Sequence, residues 1–202
     1  LICFLYAKYS KDDKFISHFT DQFNSEEYKD YSDGNYYNLV LSVSGLDKSI
    51  SISNYLNNFI NSHSPQIEAR FRSSLPGVSD PETPKVVIEA ILNETIRGAD
   101  APYLLAGLIS HHENGKNAWE IIKLNWEDLL KVMPEWTSSR ILDGLPSVYD
   151  EHIGKDIQDF IKLNPLPSAE KLTKQKFERL NANIKFKNLI NRGSYNGSTF
   201  YR

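Results

Sequence analysis

Apolar and polar positions alternate with a helical period along most of the chain. Near the start, Phe15, Phe19 and Phe23 recur every four residues and so share one helical face. Within residues 51–60, Ile52, Tyr55, Phe59 and Ile60 are spaced by 3, 4 and 1, which predicts a second amphipathic helix. Between them, 30–35 and 42–48 read as loops, because Gly34 and Gly45 sit among polar residues. The aromatic and branched run 37–43 fits a short strand, and that alternative stays open.

From Asp80 the helical pattern strengthens. Thr83-Pro84 reads as an N-cap followed by proline in the first turn, with Val87, Ala90 and Ile91 as the stripe behind it. Asp100 is placed to cap the next helix, in which residues 103–110 are apolar nearly all round and predict deep burial. Trp119, Ile122, Trp126, Leu129, Leu130 and Met133 then follow at spacings of 3, 4, 3, 1 and 3, which predicts a single helix over 115–132 ended by Pro134. A short helix is expected over 138–145, another through Ile153, Ile157, Phe160 and Ile161, and a long last one carrying Phe177, Leu180 and Ile184 with Ser168 as its cap. The pattern predicts an all-α fold of irregular stacked helix pairs, a HEAT/armadillo-like α-superhelix without a strict repeat. Its organisation reads as a divergent helical part over 1–65, a helical domain over 66–192 and a flexible tail over 193–202.

Composition narrows the function classes. At 202 residues the chain can bury a substantial core. A net charge of −3 and the lack of a basic stripe argue against nucleic acid as a partner. The longest apolar run, 1–6, falls far short of the roughly 20 residues a membrane helix needs, so no transmembrane segment is expected. A start at Leu1 rather than Met suggests a cut or excised chain, and 1–5 suits the remnant of a signal peptide or of a preceding helix. The one cysteine, Cys3, excludes an intrachain disulfide and reads as a buried, inert thiol. Asn93-Glu94-Thr95 and Asn196-Gly197-Ser198 are glycosylation sequons, which favour a secretory or cell-surface location slightly over the cytoplasm.

No constellation points to catalysis. Zinc peptidase chemistry needs two histidines one helical turn apart with a water-activating glutamate, and His-Glu-x-x-His is absent. His111-His112-Glu113 comes nearest, but Asn114-Gly115 follows as a helix stop, and a solvated turn is the plainer reading. His18, His63 and His152 stand singly among polar residues, and the pairs Glu26/Glu27 and Glu127/Asp128 read as solvated faces. Neither a phosphate-binding glycine loop nor a Gly-x-Ser-x-Gly elbow occurs. We therefore expect no catalytic residue, no metal ligand and no cofactor in this chain.

Three motifs carry a resemblance. They are Ile96-Arg97-Gly98-Ala99-Asp100, then Gly115-Lys116-Asn117-Ala118-Trp119, then Leu124-Asn125-Trp126. Together they resemble the last, helical domain of the aminopeptidase N family of zinc metallopeptidases, the endoplasmic-reticulum-aminopeptidase-like domain. Phe160, the 177–186 stretch and the segment 70–82 with its Asp80-Pro81-Glu82 turn are similar too, so the likeness spans about 66–190. Two departures stand out: Ala99 replaces the family's glutamine, and the glycine-to-tryptophan spacing is one shorter.

The resemblance implies a non-catalytic C-terminal domain that encloses an active-site cavity and helps to bind and gate peptides. Zinc and the hydrolytic centre would lie in an upstream domain, which together with peptide substrates would be this chain's partner. Arg140 is the candidate for facing a peptide carboxylate, with a solvated arginine as its plainer reading. Arg97, Asp100, Gly115, Trp119, Asn125 and Trp126 read as architecture, with an Arg97–Asp100 ion pair and cap and two core tryptophans. A free-standing helical scaffold that binds a protein or peptide on a concave face is the alternative.

Overall fold

The computed structural model describes residues 2–10, 12–30 and 33–191, and every regular element among them is helical. The expected tail and Asn196 lie outside the described residues. The chain divides into two compact units, 1–97 and 98–202.

The first unit contains α1 (Ile2–Ser10), α2 (Asp13–Ser25), α3 (Gly34–Ser44), α4 (Ile52–Ile60), α5 (Pro65–Ser74) and α6 (Thr83–Leu92). Side-chain caps start three of them: Asp12 accepts from the Phe15 N–H, Asp33 from Asn35 and Ser51 from Ser53. Helix α2 packs on α3, α4 on α5, and α1 on α3. The predicted phenylalanine face is present, with Phe19 and Phe23 buried.

The 37–43 run is not a strand but the middle of α3. Its buried residues Tyr37, Val40, Leu41 and Ser44 fall at i, i+3, i+4 and i+7, so packing against α2 overrides the strand preference of tyrosine and valine. Helix α3 also takes residues from both expected loops, because Asp33 starts it one residue before Gly34.

An aromatic core joins these helices. Phe23 stacks on Tyr55 with centroids 4.8 Å apart, Tyr28 meets Tyr37 edge-on at 4.7 Å, and Phe71 stands edge-on to Tyr55 at 6.0 Å. The Tyr55 hydroxyl donates to the Leu41 carbonyl at 2.6 Å and lies 2.8 Å from Ser44 Oγ. Helix α1 contributes little to this core. Only Ala7 is buried there, while Ile2 and Tyr9 are 82% and 73% exposed. Cys3 is exposed too, which corrects the expectation of a buried thiol: this short helix meets the unit along one narrow line.

The second unit contains α7 (Ala101–Ser110), α8 (Gly115–Leu124), α9 (Trp126–Val132), α10 (Glu135–Ser138), a 3-10 segment (Ser139–Ser147), α11 (Glu151–Leu163) and α12 (Glu170–Asn191). The 3-10 segment occupies the place of the predicted short helix and packs between α7 and α12. Helix α7 is buried as its composition predicts, apart from the exposed Tyr103. At Gly144 the segment runs so close to α7 that a Cβ would collide with the Ala106 carbonyl oxygen.

Several predicted boundaries need correction. The single 115–132 helix is two, α8 and α9, broken at Asn125 (φ −110°, ψ 16°). Asp100 precedes α7, but its helical backbone (φ −89°, ψ −22°) gives no side-chain cap bond. Thr83 is the first residue of α6 rather than its cap, and its buried hydroxyl has no hydrogen-bond partner among the described residues. Ser168 adopts a left-handed conformation (φ 54°), so the Ala169 carbonyl, bonded by the Thr173 N–H at 2.8 Å, opens α12 instead.

Gly144→Ala is expected to lower unfolding free energy by about 1–3 kcal/mol, since the colliding atom is backbone and cannot rotate away. A denaturant-unfolding midpoint equal to the parent's would refute that contact.

Burial raises the ionisation of the Tyr28 and Tyr55 phenols well above the ordinary tyrosine value. Both groups therefore resist ionising in the fold. Their contribution to stability is intact below about pH 10, where unfolded tyrosines begin to ionise, and is lost as pH rises further. Helical circular dichroism followed against pH should show an alkaline unfolding transition that Tyr28→Phe moves upward. An unmoved midpoint would mean that Tyr28 ionises freely in the folded chain.

Candidate functional site

The tryptophans of the sequence motifs converge on α11. The Trp119 and Trp126 rings each stand edge-to-face with the Phe160 ring, with centroids 5.4 Å away and interplanar angles of 88°. Both tryptophans are buried. The polar edge of Trp119 is met as well: its indole N–H donates to Asp156 Oδ2 at 2.6 Å, and Lys123 Nζ donates to the same oxygen at 2.7 Å. One turn of α11 thus supplies a ring and a carboxylate to α8, and the ring alone to the start of α9.

The electrostatics follow from these contacts. The Lys123 hydrogen bond holds the Asp156 carboxyl below the ordinary carboxylate range, partial burial opposes it, and the Trp119 N–H adds to the lowering. For Lys123, partial burial acts downward, but the bonds to Asp156 and Glu120 outweigh it and raise the ammonium. Asn125 sits at the joint between α8 and α9, its amide donating to the Ile121 carbonyl at 2.8 Å. The rings of this cluster are packed between helices, while the Asp156 carboxylate keeps one side toward solvent.

Asn114-Gly115 is not a helix stop. Asn114 is the cap residue of α8 and Gly115 its first residue, and a Cβ at Gly115 would lie 2.6 Å from the Ile109 carbonyl oxygen. Close passage between α7 and α8 requires that glycine. His111 closes the turn, with its Nδ1 accepting from the Glu113 and Asn114 N–H groups at 3.3 and 3.1 Å. Arg97, in the first unit, bonds to Glu68 at 3.1 Å, and Arg72 lies 3.5 Å from the same oxygen. Asp100 lies in the second unit, at the start of α7.

The other expected sites are dispersed. Among the described residues no three His, Cys, Asp or Glu side chains gather into a group that could hold a metal ion. His18, His63, His112 and His152 are exposed. Glu26 and Asp128 are each bound to a nearby lysine, Lys29 at 2.5 Å and Lys131 at 2.8 Å, on exposed surface. No described helix is long and apolar enough to cross a membrane.

Arg140 lies on the 3-10 segment with its side chain 53% exposed, 3.7 Å from Asp143. Asp143 also receives Lys176 from α12 at 2.7 Å. Lys176 in turn lines an open cleft of about 480 Å³ together with Leu172, Gln175, Glu178, Arg179 and Ala182. Arg140, Lys176 and Arg179 set three cations against two carboxylates, Asp143 and Glu178, leaving one excess positive charge (3 − 2 = 1). Such a group suits an anion that takes Arg140 away from its long Asp143 contact. The sequence reading singled out Arg140 and missed its companions, although Asp143 at i+3 was visible as a competitor.

Residues 5–182 match the family of ERAP1-like C-terminal domains. The match begins well upstream of the 66–190 stretch that the motifs mark, and takes in most of the first unit. No curated protein matches the chain.

Asp156→Asn is expected to cost about 1 kcal/mol at neutral pH, after allowance for the exposed side of the ion pair. Because the Asp156 value is lowered in the fold, its contribution is present above about pH 4 and is lost as pH falls further. The stability gap between parent and variant should therefore close in acid. A gap that stays constant across that range would show that the carboxylate charge does not matter.

Proposed function

The chain belongs to the ERAP1-like C-terminal domain family, and from that premise we propose that it is the non-catalytic helical domain of a zinc aminopeptidase, enclosing the active-site cavity and helping to bind and gate peptides. Hydrolysis of N-terminal residues would then belong to an upstream domain, where zinc would be the Lewis acid. This chain's own residues hold the distal part of the peptide. In this reading the helix pairs within each unit, α2–α3 and α4–α5 in the first and α7–α8 in the second, are of the HEAT/armadillo-like kind. The protein is a glycoprotein of the secretory pathway or cell surface.

The observation that carries the binding role is the cluster of Arg140, Lys176 and Arg179 beside the α12 cleft. A peptide's free C-terminal carboxylate fits its excess positive charge. It can take a two-pronged bond from Arg140, which Asp143 holds only at 3.7 Å. Hydrolysis of a single-residue substrate, whose leaving group does not extend that far, would not call on this cluster.

In the whole enzyme carrying this domain, Arg140→Ala should raise KM for long peptides roughly five-fold, about 1 kcal/mol of lost binding. Turnover of a single aminoacyl chromogenic substrate should stay unchanged, and C-terminally amidated peptides should show no difference between parent and variant. Equal KM values for free and amidated peptides in the parent enzyme would remove the carboxylate from the account.

A further inference from the structure

Helix α6 ends in an unusual way. The Asn93 N–H donates to the Glu89 carbonyl at 3.0 Å, the Glu94 N–H to Ile91 at 3.1 Å, and the Ile96 N–H reaches back to Ala90 at 2.8 Å. Glu94 takes a left-handed conformation (φ 61°), which reverses the chain. Ile91 and Ile96 on either side are both 0% exposed, whereas Asn93, Glu94 and Thr95 are all exposed. The three residues of the sequon therefore form a bulge pinned to the core at both ends.

Within the bulge the asparagine is poised for one reaction. Asn93 Oδ1 accepts from the Thr95 N–H at 3.0 Å, which brings the amide and the hydroxyl residue together. Among the described residues Asn93 Nδ2 has no hydrogen-bond partner, and Asn93 is an exposed residue. A sequon needs an asparagine, a non-proline middle residue and a hydroxyl residue, and these three positions meet that requirement. Bulky surface sugar is compatible with such a turn, since nothing of the core must move to hold it.

We infer that Asn93 carries an N-linked glycan, and that the turn after α6 is a face of the domain that stays in solvent. Transfer forms an N-glycosidic bond between Asn93 Nδ2 and the anomeric carbon of a lipid-diphosphate-linked oligosaccharide. That carbon's bond to the lipid diphosphate breaks, the diphosphate leaves with the electron pair, and one amide proton passes to a base of the transferase. The inference rests on the luminal route proposed above, and it adds that no protein partner covers this turn.

The test is translation of the full 202-residue chain behind a cleavable leader, in the presence of endoplasmic-reticulum microsomes. Only protease-protected chains are scored, so entry into the lumen is guaranteed. In an Asn196→Gln background one glycan is expected, retained by Thr95→Ser and removed by Thr95→Ala or Asn93→Gln. As a readout that needs no substitution, amidase release of the sugar from the parent chain should convert Asn93 to aspartate in the mapped peptide. Protected Asn196→Gln chains without sugar, or an unconverted Asn93 peptide, would overturn the inference. Failure of the luminal route itself is a separate result, read from where the natural protein resides in its own cells.

Discussion

The edge-to-face contact of Phe160 with Trp119 and Trp126 is the constraint on which the second unit's α8–α9–α11 packing depends. It places the largest rings of α8 and α9 on one side chain of α11 and removes all three from most of their water. Burying a tryptophan in this way is worth several times the roughly 1 kcal/mol of a single cap or surface ion pair. The indole N–H would make that burial costly without a partner, and Asp156, one turn before Phe160, provides it at 2.6 Å. Asp156 in turn is balanced by Lys123, so the polar tie is complete. The motif that looks most like a functional signature in the sequence is thus spent on architecture.

Close backbone passage does the corresponding work for α7. Gly144 lets the 3-10 segment lie against Ala106, and Gly115 lets α8 begin beside Ile109. These contacts fix the 3-10 segment between α7 and α12, and so they fix where Arg140 and Asp143 stand relative to Lys176. The first unit uses another device, a set of aromatic rings from α2, α3, α4 and α5 whose buried hydroxyl at Tyr55 is bonded to backbone. In each unit, packing rather than chemistry accounts for the residues that stand out.

Much of this was legible in the sequence because amphipathic periodicity survives without knowledge of the fold. The stripes through Phe19 and Phe23, through Tyr55 and Phe59, and through Ile157 and Ile161 all proved to be buried faces. What was not legible turns on tertiary contact. Residues 37–43 have a strand's composition, and only packing on α2 makes them helical. Asn125 can sit inside a helix, so nothing local announced a joint there. Asp100, Thr83 and Ser168 have capping side chains, but the backbone at each position is wrong for capping. Gly115 reads as a helix stop until the nearness of Ile109 is known. Arg140 was singled out from its type and place, whereas the link from it through Asp143 to Lys176, more than thirty residues later, exists only through folding.

The central claim is that this chain holds and encloses peptide without cleaving it. It is tested most directly by measuring zinc content and aminopeptidase turnover, on a panel of aminoacyl fluorogenic substrates, with the purified chain alone. The account predicts neither bound zinc nor hydrolysis. Stoichiometric zinc together with chelator-sensitive cleavage would contradict it, because a metal site and a catalytic centre would then have to lie within these residues.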